Sequence, residues 1–94
     1  MNYDNILNSP IYKLYYVNSI DEIKYTANSA KFFRRDYSLE WRKEIYEALE
    51  WAIINPSYDF KSISTHDLAF SNDEIYNYLK ELCEFMEETE LNLI

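Results

Sequence analysis

From Ser71 to Glu90, apolar residues recur at Ile75, Leu79, Leu82, Cys83 and Met86, while Glu74, Glu81, Glu84 and Glu88 fall on the opposite side. That spacing predicts one amphipathic helix with a buried stripe and a carboxylate ridge. Its start is marked twice. Ser71 and Glu74 stand three apart as a capping box, and Phe70 and Ile75 flank it as a hydrophobic staple. Asp73 and Glu74 also suit the positive end of the helix dipole.

The same reasoning extends upstream. Ser38 opens a helix that Asn55 and Pro56 stop, with Trp41, Ile45, Ala48, Leu49 and Ala52 as its core stripe. On its other side Glu40, Glu44, Glu47 and Trp51 form a second stripe. Ser19 to Glu22 is another capping box. From it Ile20, Ile23, Ala27, Ala30 and Phe33 space out as one helical face to about Arg35. Residues 1–9 read as a loose lead-in, and Ser9 then Pro10 as a helix start. Ile11 to Val17 is rich in aromatic and β-branched residues, as a strand would be. It lacks a pairing partner elsewhere, which favours a short helix. Residues 56–70 form one long connection, with a single turn possible over 65–69, tied to the core by Tyr58, Phe60, Ile63 and Leu68.

The predicted architecture is all-α, a single domain over 1–94. It is a small bundle of three main helices at about 19–35, 38–55 and 71–90, with a short N-terminal helix near 10–17. The expected core is Ile20, Ile23, Ala27, Phe33, Ile45, Leu49, Ala52, Ile75, Leu79, Leu82 and Met86.

Composition sharpens this picture. The 94 residues include no glycine and only two prolines, which disfavours tight hairpins and Gly-rich phosphate loops. Ten tyrosines, five phenylalanines and two tryptophans are more rings than one small core can enclose, so some lie at the surface. Net charge is −8 and uneven: residues 1–66 carry nine acids against eight bases, residues 67–94 eight acids against Lys80 alone. A direct nucleic-acid partner or an anionic membrane needs a basic footprint and is disfavoured; a basic protein is the natural complement. With no leader or transmembrane run in evidence, the expected location is the cytoplasm. Heavy use of Ile, Asn, Tyr and Lys fits an AT-rich bacterial genome.

Candidate chemistry is sparse. Nucleophilic catalysis needs a nucleophile beside a base, and Cys83 and His66 are the only cysteine and histidine. Cys83 lies on the apolar stripe, and His66 sits in the long connection beside Asp67. One His and one Cys do not make a zinc site, the glutamates face outward, and no glycine-centred acidic loop offers a calcium site. The expectation is a non-enzyme, with no catalytic residues, no metal and no cofactor.

What remains is a surface. Glu74, Glu81, Glu84 and Glu88, with Tyr78 at the edge, mix charge with an aromatic anchor, and Glu40, Glu44, Glu47 and Trp51 extend that surface. Trp51 is either a rim residue folded over the core or an exposed anchor. In size, acidity, aromatic surface and the helix D-E-I-Y-N-Y-L-K-E-L-C-E-F-M, the chain resembles small acidic bacterial immunity proteins. The resemblance implies a protein that binds and neutralises a cognate basic toxin, a nuclease domain being the obvious case. Tyr78 and Trp51 would then be packing anchors and the glutamates the electrostatic complement. Two alternatives stand beside it: a phage-type inhibitor of a defence nuclease, and a helical adaptor that forms a homo-oligomer through exposed aromatics.

Overall fold

A computed structural model of the protein describes residues 2–64 and 68–94; His66 and the turn expected over 65–69 therefore lie wholly or mainly outside the described residues. The chain is all-α, with four α-helices, α1 (Tyr3–Tyr12), α2 (Ala27–Asp36), α3 (Leu39–Ile53) and α4 (Asn72–Glu88), and no strand among the described residues. Short 3-10 turns at Lys13–Tyr16, Ile20–Glu22 and Phe60–Ile63 join them.

α3 and α4 begin where their caps require. The Ser38 hydroxyl accepts from the Trp41 amide, and Ser71 and Glu74 satisfy each other's backbone amides in a complete capping box. The two helices pack antiparallel. Arg42 meets Leu91, Tyr46 meets Glu87, and the Ile53 carbonyl accepts from the Tyr76 hydroxyl, so early positions of one helix face late positions of the other. Leu49, Ala52, Ile75, Leu79, Leu82 and Met86 fill the core as the stripes predict.

Two expectations fail. The helix foreseen over 19–35 is two pieces. The Ser19 capping box forms but opens only one 3-10 turn, because Ile23 turns extended (φ −88°, ψ 110°). Thr26 then restarts the chain with a second capping box, its hydroxyl accepting from the Ser29 amide. Ala27, expected inside, is exposed in the first turn of α2, while Ile20 and Ile23 are only partly buried.

The supposed lead-in is α1. It runs through Pro10, whose missing amide costs the helix one backbone hydrogen bond. Burial of Ile6, Leu7 and Ile11 against the bundle outweighs it. Ile11 to Val17 is thus the end of α1 and a 3-10 turn rather than a separate helix.

The end of α4 shows how a glycine-free chain turns. Glu90 adopts φ 57°, and the Leu91 amide returns to the Met86 carbonyl at 3.0 Å. This is the helix-ending geometry usually given to glycine. It sends Leu91 into the core and presents its carbonyl to Arg42, a charged side chain only 6% exposed. Arg42 donates from Nη1 to the main-chain oxygens of Leu91 (2.8 Å) and Ile94 (3.1 Å), and from Nε to the Tyr37 carbonyl (3.2 Å). One guanidinium thereby ties α3, the α2–α3 junction and the segment after α4 together.

Candidate functional site

The antiparallel seam opens at one end into a cleft of about 510 Å³ between the start of α1, the second half of α3 and the last turns of α4. One wall is aromatic. Tyr3 stacks on Trp51 with ring centroids 5.6 Å apart and planes 21° off parallel, and Tyr58 meets Trp51 edge-on at 4.9 Å. Cys83 forms a buried floor, while Ile53 and the 77%-exposed Ile54 carry the apolar surface outward. Three exposed carboxylates stand at the mouth, Glu47 and Glu50 from α3 and Glu87 from α4.

Glu87 is held in place. Its Oε1 accepts from the Tyr46 hydroxyl at 3.0 Å and from the Cys83 thiol at 3.6 Å. Burial, this hydrogen bond and the nearby Glu50, Cys83 and Glu87 charges push the Tyr46 phenol up to about 12. The Cys83 thiol is also pushed up to about 12, by burial first and then by Glu87, Glu50 and Glu84. Cys83 is 1% exposed and packs in the core, closing the cleft floor.

No basic side chain among the described residues lines the cleft. Among the described residues the ion pair that forms is Arg35–Asp36 at 2.9 Å, between neighbours at the exposed end of α2. Lys43 and Lys80 precede Glu47 and Glu84 by one helical turn, a spacing that contributes about 0.3–0.5 kcal/mol at most. No cation among the described residues forms an ion pair with the carboxylates at the mouth.

The sequence-predicted residues divide. Glu47 and Trp51 line the cleft, with Trp51 half-buried in the aromatic wall and packed against the core edge, as the rim reading expects. Glu40 and the half-buried Glu44 continue the α3 stripe away from it, Glu40 about 16 Å along the axis from Trp51. On α4, Glu84 bears on the Cys83 side, whereas the charge of Glu81 bears on Tyr25 across the helix. Glu74 and Glu88, each seven residues from Glu81, are exposed on the same side of α4 as Glu81.

Tyr78 requires a correction. It is 1% exposed, with its hydroxyl donating to the Pro10 carbonyl at 2.8 Å, and is a core residue rather than a surface anchor. Its ring lies on the core side of α4, where α1, longer and earlier than the N-terminal helix expected near 10–17, meets it at Pro10. Tyr3, Glu50, Ile54, Cys83 and Glu87 were not foreseen as site residues. Tyr3 belongs to the unforeseen α1, and Glu50 and Glu87 lie at stripe boundaries where only the docking of two helices brings them together.

Among the described residues no group of His, Cys, Asp and Glu side chains could hold a metal ion, and no helix is long and apolar enough to cross a membrane. No protein-family model matches the chain, and no curated protein or solved structure is significantly similar to it.

Proposed function

We propose that this protein binds and neutralises a basic protein partner, in the manner of a small bacterial immunity protein acting on a toxin. The observation that carries the reading is the convergence of Glu47, Glu50 and Glu87, none in an ion pair with another described residue, around an aromatic-walled cleft. Exposed carboxylates speed the encounter with a positive surface, and a desolvated aromatic centre within a charged rim suits a tight, specific contact. A nuclease domain fits as partner because its groove is built to accept phosphates, which carboxylates can imitate. A phage-type inhibitor of a defence nuclease would use the same surface.

The test is capture of the partner on the immobilised protein at low and moderate salt. A basic protein is retained in near-equal amount and loses its activity, and retention weakens as salt screens the rim charges. Recovery of no basic protein at either salt would overturn the reading.

The competing reading is a homo-oligomer. It draws on Tyr12 and Tyr16, both exposed and packed edge-on to each other on a part of the surface separate from the cleft. Sedimentation of the purified protein separates the two, since the inhibitor reading expects a monomer until its partner is added.

A further inference from the structure

We infer that the cleft receives an arginine side chain of the protein partner, an assignment that rests on the inhibitor reading and names what fills its centre. The cleft joins three features that one group satisfies together. Its aromatic wall of Tyr3 and Trp51 offers π-surface to a flat cation. The exposed Ile54 offers apolar surface to an aliphatic stem. Glu47, Glu50 and Glu87 surround the mouth from two helices, so a ligand there needs several donors pointing in different directions.

A guanidinium has five N–H donors in a rigid plane, stacks on aromatic rings and carries a full charge at any working pH. An ammonium is a more strongly hydrated point charge with no planar face. Glu87 adds a geometric reason. Its Oε1 already accepts from Tyr46 and Cys83, which holds the carboxylate in one orientation. Fixed acceptors favour a donor fork of fixed shape, because less freedom is lost on binding. An uncharged apolar anchor is disfavoured, since it would cover the carboxylates at the mouth without supplying donors.

The test uses the isolated protein and three probes of nearly equal size: the N-acetyl methylamides of arginine, lysine and citrulline. Each is titrated while backbone and indole N–H signals are followed by NMR. The expected result is a set of shifts centred on Tyr3, Trp51, Ile54 and Cys83, with arginine saturating at about fivefold lower concentration than lysine. Citrulline, uncharged but similar in shape, gives no saturation. The Glu47→Gln, Glu50→Gln variant, with its helical signature checked by circular dichroism, loses the arginine response. Equal behaviour of arginine and lysine, or an arginine response that survives in that variant, would sink the assignment.

The two readings fail differently. If the double variant loses its captured partner while the arginine probe shows no preference, the cleft is the interface and arginine is not its occupant. If the arginine probe binds as expected and no partner is captured, the occupant chemistry stands and the inhibitor reading falls.

Discussion

The double variant Glu47→Lys, Glu50→Lys weakens binding of the basic partner by about 100-fold at low salt, measured by isothermal titration. Reversing a charge removes one attraction and installs one repulsion, and single close charge pairs across an interface already couple by about 1.5 kcal/mol or more. Two such reversals at one cleft mouth give about 3 kcal/mol, which is a hundredfold. The fold tolerates the change because both side chains are exposed and neither forms an ion pair with another described residue. The local loss is the weak attraction between Lys43 and Glu47, a few tenths of a kcal/mol. Glu81→Lys serves as the control. Its charge lies on the Tyr25 flank of α4, and it changes affinity by less than about threefold, as rim charges far from a contact do.

The largest expected effect on stability falls at Arg42. Arg42→Ala costs about 3 kcal/mol, read from chemical denaturation, and lowers the melting temperature by about 15 °C for a domain of this size. Each charge-assisted hydrogen bond contributes about 1.5–3 kcal/mol, and removing the donor leaves the buried Leu91 carbonyl and two part-buried main-chain oxygens without it. Three such oxygens depend on this guanidinium, those of Tyr37, Leu91 and Ile94. Arg42→Lys restores only part of the loss, because one ammonium cannot span acceptors set in a fork by two separate segments. Equal stability of the lysine variant and the native protein would show that charge alone, without geometry, holds the segment after α4.

The elements most legible in the sequence are those whose signals agree at every level. In α4 the Ser71 cap, the acidic first turn and the Ile75-to-Met86 stripe all point to one helix, and burial follows the stripe. α3 is equally consistent from Ser38 onward. Over 19–35 the signals compete. Ser19 and Thr26 are both cap residues, and the Lys24–Tyr25–Thr26 stretch between them carries an aromatic and a β-branched residue that favour extended backbone. Two local caps prevail over one continuous stripe. In α1 the asparagines and Pro10 argue against a helix, and only tertiary burial of Leu7 and Ile11 decides otherwise.

The site was legible in part for a related reason. A stripe read on one helix identifies Glu47 and Trp51, but not which turn of another helix lies opposite. Glu87 gains its place because α3 and α4 run antiparallel with Tyr46 beside it, and Tyr3 because α1 folds back to stack on Trp51. Tyr78 went the other way. Seen alone it borders the carboxylate ridge; with α1 in place it is enclosed and bonded to Pro10.

The central claim is that the cleft between α1, α3 and α4 is the surface the partner covers. Amide hydrogen exchange on the free protein and on the complex with its captured partner tests it most directly. The expected result is slowed exchange confined to the residues after Tyr3, the Glu47–Ile54 half of α3 and the Cys83–Glu87 turns of α4, with the Tyr12–Tyr16 region unchanged. Protection centred on Tyr12 and Tyr16, with the cleft exchanging as in the free protein, would contradict it.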